Sequence, residues 1–429
     1  MAKTAAGSRA ATRELLQRRL AAQWITPATA GAARSVADVA RHLLATQAQD
    51  FGQAVWALGL RSPGSSRADV AAALDTAQVV RSWPMRGTLH FSTPDDLRWM
   101  LSLTATKTIT GTAARQRQLE LDEPLFARAS RIAAAELRGG GSFSRDEFFA
   151  LLEADGITTS GQRGVHIIWR LAHDGLICWG PTRGTQQALV LLDEWAPATR
   201  DPLPNRDDAF GEFVLRYLTA HGPATLKDFC WWSKATVTEA RRGLAAVRDR
   251  LTEIELDGVS YWMRDPGDLD EGTDPTAPAG GRASTTATTA RTPPRASGVH
   301  ALPGFDEYLL GYQDRSHALP AAFADRIVPG NNGMFLPMIV SNGTIVGTWR
   351  RAVTAKKATV SADPFTALST SEQRGFVREV TRYGRFLGVP AVVADAAPEP
   401  SGMPDAPGTP VPSDAHATPG TSVPSGPPA

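Results

Sequence analysis

The chain has 429 residues, 42% of them hydrophobic, and a formal net charge of +1; that length and composition suit a globular protein of two to four units that should fold. No run approaches the roughly 18 consecutive apolar residues of a membrane-spanning helix, and Met1–Ala11 lacks the apolar stretch of a signal peptide, so a cytoplasmic, nucleoid-associated location is expected. Cys178 and Cys230 are the only cysteines, too few for a disulfide framework and without a zinc-binding spacing. The near-neutral charge hides an imbalance, because the stretches 265–298 and 397–429 are net acidic and leave the remainder mildly basic. A basic remainder is compatible with nucleic-acid binding but does not identify it.

In chain order, apolar periodicity predicts helices over 12–23, 36–44 and 68–76, then a strand over 85–91. In that strand Arg86, Thr88 and His90 alternate with Met85, Gly87 and Leu89, which puts a polar face at the surface. The middle segment reads as helix 126–137, a second helix opened by the Ser144/Glu147 capping box, a third at 160–173, and strands 176–179 and 187–192 around a turn at 181–184. A third copy begins with helix 209–220, stopped by Gly222 and Pro223. Thr225 with Asp228 opens helix 226–232, and helix 236–247 carries Lys234, Arg241 and Arg242 at or near its start and face. Strands 251–255 and 259–263 follow around Asp257–Gly258, a pair suited to the positive φ angles of a type I′ turn.

Helix, helix, helix, hairpin is the winged-helix order. The expected fold is a helix-rich α+β protein with three tandem winged-helix units at 10–122, 123–200 and 205–264. A small C-terminal α+β domain at 299–392 follows, built on a hairpin 335–340/344–350 around Asn342–Gly343 and an amphipathic helix 370–387. The Thr-, Pro- and Gly-rich linker 265–298 and the tail 396–429 hold too few apolar side chains to offset the entropy of ordering, and disorder is expected there.

Three groups of residues carry a resemblance. They are Trp83-Pro-Met-Arg-Gly-Thr-Leu-His90 with Asp96-Leu-Arg-Trp99; His221-Gly-Pro-Ala-Thr225 with Asp228-Phe-Cys-Trp-Trp-Ser233; and Leu302-Pro-Gly-Phe-Asp-Glu-Tyr308 with Asp314-Arg-Ser316 and Gly347-Thr-Trp-Arg350. Together they resemble the AlkZ/YcaQ-like winged-helix DNA glycosylases over about residues 12–390. The resemblance implies a curved body with a positively charged, open channel and removal of bulky N7-alkylguanine or interstrand-crosslinked bases. It also implies a Gln-x-Gln or Gln-x-Asp catalytic motif in the first unit. Gln47 and Gln49 match the Gln-x-Gln form, and Asp50 lies one position beyond the acid of the other form.

Residues two apart share a side only in extended or turn conformations, since on a helix they diverge by about 200°. Gln47 and Gln49 follow an apolar helix, where an irregular segment can aim both amides at one point. An amide is a poor general base but can accept from water and donate through its NH2 group. That chemistry suits a cationic N7-alkylated purine, which already leaves readily and needs water positioned and the transition state favoured. A neutral base would need an acid, and this motif holds none.

Arg86, Thr88 and His90, with Arg163, Arg183, Arg241, Arg242 and Arg350, are the candidate DNA contacts. Arg86 could instead pair with Asp95 or Asp96, and His90 is as well read as a partly buried histidine. Trp169, Trp231 and Trp232 read as core anchors. No phosphate-binding Gly-rich loop, metalloprotease or nucleophile-elbow motif is present, so neither metal nor cofactor is expected. The expected partner is double-stranded DNA, alkylated or crosslinked, bound by a monomer. A non-enzymatic winged-helix regulator is the alternative; three dissimilar units in one chain favour a monomer wrapping a duplex over a dimer reading half-sites.

Overall fold

In a computed structural model, residues 2–26, 34–183, 186–200, 205–264 and 298–394 are described. The expected tail, and all of the expected linker except Gly298, lie outside the described residues.

The first segment runs α1 (Ala2–Ala22), α2 (Val36–Leu43), β1 (Thr46–Gln47), α3 (Phe51–Arg61), α4 (Arg67–Asp75), β2 (Val80–Met85), β3 (Thr88–Ser92), α5 (Pro94–Gly111) and α6 (Ala113–Gln118). The second has α7 (Glu123–Glu136), α8 (Arg145–Ala154), α9 (Arg163–His173), β4 (Ile177–Arg183), β5 (Gln186–Leu191) and α10 (Leu192–Trp195). The third has α11 (Arg206–His221), α12 (Leu226–Ser233), α13 (Val237–Val247), β6 (Thr252–Leu256) and β7 (Val259–Met263). The C-terminal segment has β8 (Val299–Leu302), α14 (Glu307–Leu310), α15 (Ala324–Ile327), β9 (Met338–Ser341), β10 (Thr344–Val353), β11 (Ala358–Pro364), α16 (Thr370–Leu387) and β12 (Ala391–Val393).

Local chemistry sets many of these boundaries. Reciprocal capping boxes open α8 through Ser144 and Glu147 and α12 through Thr225 and Asp228, each satisfying amides that a helix start leaves without partners. The hairpins β6–β7 and β9–β10 turn on Asp257–Gly258 and Asn342–Gly343, all four residues at positive φ, as a two-residue type I′ turn requires. A third such turn corrects the sequence reading of a continuous strand over 85–91. Arg86 and Gly87 have φ of 58° and 69° and link Met85 to its cross-strand partner Thr88, so Arg86 sits at a hairpin tip.

Two long-range associations exceed anything the local patterns show. The first and second hairpins join into one sheet of order β1-β3-β2-β4-β5, bridged where Arg81 faces Trp179. The C-terminal sheet, of order β12-β11-β10-β9-β8, has a parallel β11–β12 pair crossed by α16 and shares one hydrophobic core with α1 to α4. Trp56 on α3 donates its indole N–H to Ala301 O at 3.0 Å, and Trp349 on β10 donates to Leu302 O at 2.7 Å. Gly59 is required where α3 meets α16, since a Cβ there would lie 2.1 Å from the Phe386 ring. Among the described residues no helix is long and apolar enough to cross a membrane.

Candidate active site

The segment after α2 is extended, as two converging glutamines require. Helix α2 ends at Leu44, whose φ of 67° breaks the helical path, and the chain then lies along β3, with Thr46 opposite Phe91 and Gln47 opposite His90. Ala48 N–H donates to Leu89 O at 2.7 Å. Asp50 then caps α3 by accepting from Gln53 N–H at 3.0 Å, which places it in a helix cap. Arg81, nearly fully buried, clamps the same segment: its Nε donates to Ala48 O at 2.9 Å and its Nη2 to Gln49 O at 3.3 Å.

The two amides are not equivalent. Gln49 Oε1 accepts from Leu89 N–H at 3.3 Å and so continues the ladder with its side chain. Gln47 Oε1 is buried with no hydrogen-bond partner, and Thr88 Oγ1 nearby in the same sheet is likewise buried and unsatisfied. Both glutamine side chains remain partly accessible. A buried acceptor without a donor costs on the order of 1–3 kcal/mol, a cost that a water or substrate hydroxyl can remove.

Behind Gln47 stands Glu307, fully buried. Its Oε1 lies 3.4 Å from Gln47 N, accepting that N–H, and 3.9 Å from Arg86 Nη2. Its Oε2 accepts from Trp232 Nε1 at 2.8 Å and lies 3.4 Å from His221 Nε2. Burial by itself would raise the Glu307 carboxyl, but the close approach of the His221 ring and the positive charge of Arg86 outweigh it and hold the group well below the usual carboxylate range. The carboxylate is fixed through its neighbours: Asp306 forms a buried two-point pair with Arg61 of α3 at 2.7 and 2.9 Å, and Gln53 Oε1 accepts from Gly304 N–H at 2.9 Å.

This arrangement corrects the expectation of an outward polar face. His90 is fully buried, with Nε2 2.9 Å from Arg86 Nη2 and Nδ1 2.8 Å from Thr88 O. Burial first, then the Arg86 charge, pushes its pKa down to about 3, so the imidazole is neutral at physiological pH. The Arg86 side chain is only 10% exposed and faces Glu307. Asp96 pairs instead with buried Arg216 at 2.9 Å, and Asp95 accepts from Thr199.

The remaining candidates are scattered. Arg163 opens α9 and donates to the backbone carbonyls of Thr158, Leu119 and Glu120. Arg183 pairs with Glu147 at 2.8 Å. Arg241 and Arg242 on α13 and Arg350 on β10 are exposed. Trp169 and Trp232 are core residues, whereas Trp231 is half-buried under cationic side chains. Among the described residues no group of three or more His, Cys, Asp or Glu side chains is placed to hold a metal ion. The residues that sequence reasoning left without roles are Glu307, His221 and Arg81. Glu307 and His221 stand inside the quoted motifs, but a motif states identity and not contact, and only the fold brings them to Gln47.

Comparison with known proteins follows the same outline. A sequence model described as DNA glycosylase AlkZ-like matches residues 40–386. The chain is 28% identical over 359 residues to an interstrand DNA cross-link repair glycosylase of Streptomyces sahachiroi, covering 80% of this chain and 88% of that protein. The solved structure of the Streptomyces sahachiroi DNA glycosylase AlkZ superposes with a TM-score of 0.69 at 23% identity, covering 89% of this chain and 99% of that one, a likeness of fold.

Proposed function

Since the chain belongs to the AlkZ-like DNA glycosylase family and is a DNA glycosylase, we propose that it hydrolyses the N-glycosidic bond of bulky N7-alkylguanine in double-stranded DNA, interstrand crosslinks included, with Gln47 and Gln49 as its reacting pair. The observation that carries the reading is the Gln47 amide oxygen, buried and unsatisfied on an extended strand. The name of the Streptomyces relative supports crosslinked DNA as a substrate.

In this mechanism the water oxygen bonds to C1′ of the damaged nucleotide as the C1′–N9 bond breaks. The bond's electron pair goes to the purine and neutralises the positive charge that N7 alkylation placed there, so the base leaves without protonation. Gln47 Oε1 accepts a hydrogen bond from the attacking water and sets its direction, while the proton the water loses passes to solvent, because an amide is too weak a base to keep it. Gln49 ties the strand to β3 and holds the second amide at fixed spacing. The work is positioning and electrostatic preorganisation.

The helix-helix-helix-hairpin order of α2–α4 with β2–β3, α7–α9 with β4–β5, and α11–α13 with β6–β7 supports reading these as three winged-helix units that hold one duplex against a monomer. We place the units at 10–122, 123–200 and 205–264. The deciding experiment is incubation with a duplex carrying a single N7-methylguanine, followed by alkali cleavage at abasic sites. An otherwise identical duplex with the neutral O6-methylguanine serves as comparator. Excision of the cationic base alone is the expected result, and equal excision of both would overturn the argument from leaving-group charge.

A further inference from the structure

Two basic side chains lie over the half-buried Trp231 ring, and a third reaches the backbone beside it. Lys107 comes from α5, Lys234 from the residue that ends α12, and Arg315 from the loop after α14. Lys234 Nζ lies 4.4 Å and the Arg315 guanidinium carbon 5.3 Å from the centroid of the Trp231 ring. Lys107 Nζ donates to Lys234 O at 2.6 Å, which draws the two lysines together. Among the described residues none of the three forms an ion pair with a carboxylate. Asp228, whose charge acts on Arg315, is already engaged: it accepts from Gln313 and Asp314 N–H, from Thr225, and lies 3.9 Å from Arg19.

The cluster adjoins the reacting strand. Trp231 is followed by Trp232, whose indole N–H is on Glu307, and Glu307 accepts from Gln47 N–H. The Arg86 charge acts on both Lys234 and Arg315. Gathering like charges that no ion pair neutralises is unfavourable, and an anionic ligand would restore the balance. The two lysines are exposed and can reach such a ligand, while Arg315, deeper and stacked on Trp231 and Phe335, strengthens the field from below. The Lys234 ammonium is held below the ordinary lysine range, first by desolvation against its neighbours and then by the charges of Arg86 and Lys107.

We propose that Lys107 and Lys234, backed by Arg315, form a subsite for the backbone phosphates beside the nucleotide presented to Gln47 and Gln49. The inference rests on that strand being the reacting site. A cationic base would be repelled by the cluster, so the ligand chemistry that fits is the phosphodiester and not the lesion. The competing role, in which Lys107 merely caps the carbonyl end of α12, makes a different prediction.

The test is duplex binding by Lys107→Gln, Lys234→Gln and the double variant, using lesion-free DNA across a range of salt concentrations, with urea unfolding of each variant alongside. Each lysine that neutralises a phosphate should reduce the slope of log affinity against log salt by roughly 0.9, and the double variant should lose about twice that. An unchanged slope, or an affinity loss accounted for by the unfolded fraction alone, overturns the subsite. Because the duplex carries no lesion, the outcome is independent of catalysis. If the wild-type protein fails to excise N7-methylguanine while the slopes change as expected, the catalytic reading falls and the lysines remain phosphate contacts that no longer flank a reacting nucleotide.

Discussion

From sequence Arg86, on a wing strand, is the better placed DNA contact and Arg241 and Arg242 are the weaker candidates, and the fold reverses that order. Arg86 lies at a hairpin tip with its guanidinium drawn inward between His90 and Glu307, whereas Arg241 and Arg242 project from α13 into solvent. Around Arg86 water is excluded, and each charge has a defined neighbour whose removal leaves another buried charge without compensation. On α13 water screens every interaction, so the same side chain contributes little to stability and much to long-range attraction of a polyanion. An arginine's role therefore follows from its surroundings and not from its residue type.

That contrast can be broken most directly at Glu307. Glu307→Ala strands Arg86 in the interior and should cost about 3–5 kcal/mol of unfolding free energy, read by urea denaturation; a loss under about 1 kcal/mol would mean that water reaches the site. Arg86→Ala should likewise destabilise the fold, read by urea denaturation, and lower duplex binding only as far as the unfolded fraction accounts for it.

Acid should discriminate between the regions next. Burial holds His42 and His90 down to about 3, and His173 and His300 down to about 4. Below the ordinary histidine value of 6.5 the unfolded chain takes up protons that the folded chain refuses. Stability is therefore intact above pH 6.5 and falls as the pH drops toward 4. Replacing His90 by Gln should flatten that fall by about 1 kcal/mol per pH unit, measured as unfolding free energy from pH 7 to 4.5. A curve parallel to the wild type would place a proton on His90 in the folded state.

Gln47→Ala and Gln49→Ala should each slow single-turnover excision of N7-methylguanine at least about tenfold, roughly 1.4 kcal/mol, while duplex affinity stays within a few-fold. Gln49→Ala should in addition lower stability, because Leu89 N–H loses its acceptor. The double variant should cost less than the sum, since in the proposed mechanism both amides serve one strand and one reacting water. Full activity in both single variants would remove these residues from the mechanism.

The smallest effect belongs to the surface. Arg241→Ala, Arg242→Ala and Arg350→Ala should each leave unfolding within about 0.5 kcal/mol of wild type and weaken lesion-free duplex binding more at low salt than at high. A stability loss matching that of Arg86→Ala would erase the distinction between the two regions.

Sequence by itself determined what depends on neighbours in the chain. Capping residues announced the starts of α8 and α12, Asp-Gly and Asn-Gly pairs announced two hairpins, and apolar periodicity announced α16 over its full length. The two-residue spacing of Gln47 and Gln49 already required an extended segment if their amides were to share a side. Local patterning failed at Arg86–Gly87, where an alternating polar row looked like one strand, because a left-handed arginine leaves no trace in periodicity. What only the tertiary structure decided is which distant residues meet. The hairpins of two segments merge at Arg81 and Trp179, the C-terminal sheet closes over α3, and Glu307 reaches Gln47 across 260 positions. A buried carboxylate is tolerated only where several donors converge, and convergence is a property of packing that no stretch of sequence displays.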